Sequence, residues 1–173
     1  GWQGFEGLRE SVAKRQGEIE AIELGPDNFI IHNGSSGALD NICKAFINPG
    51  DVVIVERPSF SGTVRAMRGY MAEIVETEID KDGISIDGVR QAITESIAAG
   101  KTVKFVYTIA DYHNPTGATM SFERRKALLE VCAEYNVLVL EDAAYTELYF
   151  NEPPPASLFA LGGGEGVLRM GSF

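Results

Sequence analysis

The chain has 173 residues, 45% hydrophobic and 23% charged, and a formal net charge of −10. That is enough for one globular domain with its own core. The acidic balance argues against non-specific binding to nucleic acid or an anionic membrane, which basic patches serve. No apolar run approaches the roughly 20 residues of a membrane span, and polar residues interrupt every N-terminal apolar stretch, unlike a signal peptide.

Apolar and small residues at helical spacing predict a helix over Phe5–Gln16, stopped near Gly17. After a loop and a short apolar run at Phe29–His32, residues 33–37 (NGSSG) predict a turn, followed by a helix over Ala38–Ile47. The β-branched run DVVIVE at 51–56 suits a strand covered on both faces. A loop, a short helix at Thr63–Gly69, a strand at Met71–Glu76 and a turn at 81–83 come next. Asp87 is the expected cap of a helix ending at Gly100, and Val103–Ile109 is the next strand. Ser121 opens a helix running to Tyr135, with Arg124 where a full capping box would carry an acid. Val137–Leu140 reads as a buried strand, residues from Ala143 as a short helix, Leu158–Leu161 as a helical turn and Val167–Met170 as a last strand. Continuously apolar strands alternating with helices predict a three-layer α/β/α architecture around a mostly parallel sheet. Ligands of such sheets sit beyond the carboxyl ends of the strands.

Cys43 and Cys132 lie in apolar helical patterns, far from either histidine and without a CxxC pair. No zinc signature exists, and two reduced core thiols of a cytoplasmic protein are expected.

Some residues could carry chemistry. Gly34, Ser35 and Ser36 offer N–H groups, two hydroxyls and the positive end of a helix, which makes a phosphate cradle or simply a turn and cap. The string matches neither GxGxxG nor a P-loop. Phe60, in RPSFSG, could lie against a flat ring, although a core or lid aromatic is its preferred isolated reading. Asn114 follows a buried strand in a loop set by Pro115 and Gly117. His113 reads as a polar loop residue. Glu141 and Asp142 are consecutive in a strand, so they face opposite ways and cannot act as a pair. Tyr145, one turn later, can point with Asp142. Asp142 reads equally as a helix cap and as a carboxylate that keeps a cofactor ring nitrogen protonated. Ser172 carries no signal alone.

Together these residues resemble pyridoxal-phosphate-dependent aminotransferases of classes I and II, with a fold type I large domain. GFEGLRESVAKR looks like the family's opening helix, NGSSGALD its phosphate loop and NPGDVVIVERPSFSG its segment bearing a ring-stacking aromatic. HNPTG and EDAAYTELYF resemble its cofactor-contact motifs. LRMGSF and ELYFNEPPPASL look like the 2-aminoadipate and α-amino-acid aminotransferase branch, although SSG stands where that branch often has a Ser-Gln pair.

The resemblance implies that pyridoxal 5'-phosphate is bound. Gly34, Ser35, Ser36 and Ser172 would hold its phosphate, and Phe60 would stack on its ring. Asn114 and Tyr145 would bond the ring hydroxyl, and Asp142 would pair with the ring nitrogen. Asp142 and Tyr145 are thus the implied catalytic residues. Implied partners are an amino acid, a 2-oxo acid and a second copy in a homodimer. The resemblance places the cofactor-linking lysine two residues past Phe173, and the substrate-carboxylate and phosphate-binding arginines further downstream. Residues 1–173 are therefore expected to be part of a large domain, without the lysine segment or the small C-terminal domain. Lys101 and Lys104 sit at the wrong end of their strand to substitute. A C–S lyase or synthase of the same fold, or the aminotransferase-like sensor domain of a transcription regulator, remain alternatives.

Overall fold

The computed structural model describes residues 1–172. In chain order the elements are α1 (Glu6–Glu20), a 3₁₀ turn (Pro26–Asn28), α2 (Gly34–Phe46), β1 (Val52–Arg57), α3 (Ser61–Gly69), β2 (Glu73–Asp80) and β3 (Gly83–Ile84). Then follow α4 (Ile86–Ala98), β4 (Val103–Thr108), α5 (Phe122–Glu134), β5 (Leu138–Asp142), α6 (Leu158–Leu161) and β6 (Val167–Met170).

The sheet runs β3-β2-β1-β4-β5-β6. Every pairing is parallel except the short β2–β3 hairpin. β1 and β4 fill the centre because their side chains are apolar on both faces. On one face Val52, Ile54 and Val106 pack under α4, α5 and α6 through Val89, Ile93, Leu128 and Leu158. On the other, Val53, Val55, Phe105, Tyr107 and Leu140 pack under α2 and α3 through Leu39, Cys43, Val64 and Met67. This is the expected three-layer arrangement. α4 shows why such helices dock: Val89, Ala92, Ile93 and Ser96 form one inward stripe at i, i+3, i+4, i+7. α1 buries only Arg9 and Ala13, and polar contacts pin it instead. Arg9 donates to Pro26 O at 2.7 Å, and Glu20 holds Ser157 and Arg169.

Several local expectations are corrected. Residues 34–37 of the NGSSG segment are the first turn of α2 rather than a turn ahead of it, with Asn33 at the N-cap. β2 starts at Glu73 because Met71 adopts a left-handed φ of 61°, which a strand cannot accommodate. Ser85, not Asp87, caps α4, accepting the Gly88 N–H. Ser121 does cap α5, accepting the Arg124 N–H at 3.3 Å. Residues 144–147 form a turn instead of a helix.

Both cysteines are buried and free. Burial, helped by the charge of Asp40, pushes the Cys43 thiol up to about 11, and burial alone pushes Cys132 up to about 12. Neither is a reactive thiolate at neutral pH. Among the described residues no helix is long and apolar enough to cross a membrane, and no cluster of metal-binding side chains exists.

Candidate functional site

The strand order reverses between β1 and β4, and the crevice beyond the carboxyl ends of strands at such a point is where open α/β sheets bind ligands. Four adjacent strands deliver the candidate residues to that edge. β1 leads to Phe60, β4 to Asn114, β5 ends on Asp142 and β6 leads to Ser172. α2 ends five residues before β1 enters the sheet, so its first turn, with Gly34, Ser35 and Ser36, returns to the same edge. Lys101 and Lys104 sit at the opposite edge, held by Glu73 and Asp51.

Asn114 and Tyr145 meet directly: Asn114 Nδ2 donates to the Tyr145 hydroxyl at 3.1 Å, across 31 residues of sequence. Asp142 is buried one strand residue away from the turn that carries Tyr145. Its Oδ2 accepts the Tyr107 hydroxyl at 2.8 Å, and its Oδ1 accepts the Ala144 N–H at 3.3 Å. The Ala144 bond is a local turn contact, and the helix that Asp142 was expected to cap does not form. Among the described residues no cationic side chain pairs with this carboxyl. Burial pushes it above the ordinary carboxylate range, against the lowering pull of the Tyr107 and Ala144 donors. Glu141 faces the other side as expected. It accepts the Leu158 and Phe159 N–H groups at 2.9 and 3.2 Å and does not reach the site.

The first turn of α2 has no side-chain cap; the Gly34 N–H donates to His32 O at 3.0 Å, while the following N–H groups and the two serine hydroxyls remain available to an anion. Phe60 is 43% exposed at the start of α3. Its ring lies over Gly62, where an added Cβ would sit 2.7 Å from Phe60 Cε1. Ser172 is exposed past the end of β6. Among the described residues, no hydrogen bond joins the serines to the Asn114–Tyr145 pair.

Gly62→Ala separates ring placement from stability. Alanine inside a helix stabilises by about 0.5–1 kcal/mol relative to glycine, while the Phe60 ring must swing aside. The expected result is a melting temperature that is unchanged or higher, with weaker binding of a flat aromatic ligand. Unaltered binding in equilibrium titration would show that the Phe60 ring has no part in it.

A second set of residues, not singled out from the sequence, holds the loops. Arg125 on α5 is fully buried and forms an ion pair with Asp111, while its Nε donates to Met120 O at 3.0 Å. The other oxygen of Asp111 accepts Thr146 Oγ1 at 2.7 Å, so one charged cluster ties the Asn114 loop to the Tyr145 turn. His113 lies in the loop after β4, as expected, and is buried there at 1% exposure. Its Nδ1 meets Thr116 Oγ1 at 2.9 Å, and its Nε2 lies 3.0 Å from Glu56 Oε2, although not aligned as a hydrogen bond. Glu56 also binds the Thr108 hydroxyl and the Ile109 N–H. One signal for Arg125 was present: it occupies the inward row of α5 with Leu128 and Cys132, where a charge needs a buried partner.

The chain is similar to known proteins along its whole length. The family model described as "Aminotransferase class I and II" matches residues 1–173. The aromatic-amino-acid aminotransferase 1 of Thermococcus litoralis is 35% identical over 99% of this chain and 41% of its own length. The crystal structure of an archaeal alanine:glyoxylate aminotransferase superposes with a TM-score of 0.94 at 38% identity, over 99% of this chain and 42% of that one. The α-aminoadipate aminotransferase LysN of Thermus thermophilus, complexed with N-(5'-phosphopyridoxyl)-L-leucine, gives 0.85 at 33% identity, over 99% and 42%. The chain thus spans about 41% of the length of a curated relative that it matches. With its sheet, its loop motifs and this full-length match in agreement, the chain belongs to the class I and II aminotransferase family.

Proposed function

We propose that the protein containing this chain is a pyridoxal-phosphate-dependent aminotransferase. It would move an amino group between an amino acid and a 2-oxo acid, and residues 1–173 would form part of its cofactor-binding large domain. The observation that carries this reading is Asp142: a buried carboxyl without a cationic partner among the described residues, one residue from the turn that brings Tyr145 onto Asn114. A buried anion is stable only when paired and hydrogen-bonded, and a protonated ring nitrogen would complete it.

The residues present fit the cofactor. The uncapped first turn of α2, with Ser35 and Ser36, suits a phosphate. Ser172 would be a further phosphate ligand, and Phe60 would cover a ring face. When bound, the cofactor supplies an electron sink for negative charge released at the substrate α-carbon. Asp142 would hold the proton on the ring nitrogen. Asn114 and Tyr145 would donate to the ring hydroxyl, fixing its orientation and its charge. The lysine that carries the cofactor and the small domain would lie outside these residues. The aminotransferase names of its relatives favour amino transfer over elimination. We further propose a cytoplasmic homodimer. Exposed apolar side chains such as Trp2, Phe5 and Phe150 support association, and two buried free thiols support the location.

The test is direct. The full-length protein should retain pyridoxal phosphate through dialysis, with visible absorbance. A single amino acid, added without any 2-oxo acid, should bleach that absorbance and release one equivalent of its own 2-oxo acid. Retention without release would identify a sensor. Release of pyruvate and a thiol from a cysteine conjugate would identify a lyase.

A further inference from the structure

Tyr107 lies in the middle of the central strand β4 and is fully buried. Phe105, Tyr107 and Ile109 share the face of the sheet covered by α2 and α3. A phenylalanine would fill that space, so the hydroxyl calls for its own account. It sits 2.8 Å from Asp142 Oδ2 on β5 and 3.2 Å from Thr63 Oγ1 in the first turns of α3. One phenol carries one proton and meets two acceptors. A carboxylate outcompetes a neutral hydroxyl for it, because charge-assisted hydrogen bonds are stronger. The proton therefore goes to Asp142, and Thr63 donates in turn to the phenol oxygen.

This three-group relay has a direction. Thr63 stands on the helix that begins just after Phe60. Asp142 stands at the end of the strand that leads to Tyr145. The Tyr107 hydroxyl joins the two at their base. Among the described residues no charged side chain competes for Asp142: Glu141, with Arg169 beside it, and Glu56, with His113 beside it, lie on the opposite face of the sheet. Apart from the Ala144 N–H, Tyr107 is the sole hydrogen-bond donor to Asp142 among the described residues.

We propose that Tyr107 is a positioning residue for the amino-transfer reaction, holding the Asp142 carboxylate ionised and oriented for a cationic ring nitrogen while Thr63 locks the phenol to the Phe60 helix. The inference rests on the role given to Asp142 above. Burial works against ionisation of that carboxyl, and the phenol offsets it.

The experiment is a titration of the Asp142 carboxyl carbon by NMR in the full-length protein freed of cofactor, with the signal assigned by its loss in Asp142→Asn. Tyr107→Phe removes one hydroxyl and keeps the ring. Its Asp142 midpoint should rise by roughly one pH unit, the size expected for losing a hydrogen bond to a charged group. Thr63→Val should raise it by less. In the loaded enzyme, Tyr107→Phe should lower kcat about tenfold and leave KM within about twofold, as for an interaction made at the transition state. An unmoved midpoint, or an intact kcat beside a raised KM, overturns the proposal. Should Tyr107→Phe fail to fold, Thr63→Val carries the same titration. Because that titration needs no cofactor, it reports on Tyr107 even if the amino-transfer reading fails the dialysis test.

Discussion

Asp142→Ala in the full-length protein is expected to reduce kcat by on the order of 10²–10³-fold, the usual consequence of deleting one preorganised electrostatic group from a reacting centre. Cofactor retention should fall much less. The proposed phosphate contacts come from the first turn of α2, which Asp142 does not touch. The variant should also lose little stability, because the charge removed is a buried one that, among the described residues, has no cationic partner and two donors, the Tyr107 hydroxyl and the Ala144 N–H. Kinetics at saturating substrate and the stoichiometry of bound cofactor after dialysis separate these effects. Loss of both in equal measure would count against Asp142 as partner of the ring nitrogen, and would make it a plain cofactor anchor.

Arg125→Met should be the most destabilising single change in the domain. The substitution keeps most of the side-chain volume but strands Asp111, 2% exposed at its side chain, with Thr146 as its remaining partner. Breaking a buried ion pair from one side costs about 3–5 kcal/mol. Amide exchange in β4 and β5 should report a loss of that order. Replacing Asp111 by Asn in the same chain should recover part of it, since the uncompensated charge is gone. A loss under about 1 kcal/mol would show that water reaches Asp111 in solution. The same variant should loosen the loops that carry Asn114 and Tyr145, so ligand affinity should fall although Arg125 approaches neither side chain.

What could be read from the sequence follows the reach of each interaction. β1, β4 and β5 were legible because VVIVE, VKFVY and VLVL, apart from Glu56 and Lys104 near their ends, are apolar on both faces, the pattern of a covered parallel strand. The Ser121 cap was legible because its partner lies three residues away. The start of α2 was not. Gly and Ser favour turns locally, and the anchoring of Leu39 and Cys43 in the core overrides that preference. The helix expected from Ala143 fails for a similar reason. Asp142 takes the Ala144 N–H, Thr146 is drawn to Asp111, and Glu147 is drawn to Arg15 on α1. The candidate residues Asn114, Asp142 and Tyr145 could be named through motifs. The residues that hold them could not, because Tyr107–Asp142 joins two neighbouring strands and Glu56–His113 joins β1 to the loop after β4, and the sequence does not spell out the strand order.

The buried cluster of Arg125, Asp111 and Thr146 has a bearing on how the Asn114 loop and the Tyr145 turn move. A wall whose segments are stitched together by interior charges cannot breathe piecemeal. Its amides should open only in concert with the strands behind it, in one cooperative unit. The residues around Asn114 and Tyr145 would then behave as fixed masonry, holding one arrangement whether or not a ligand is bound.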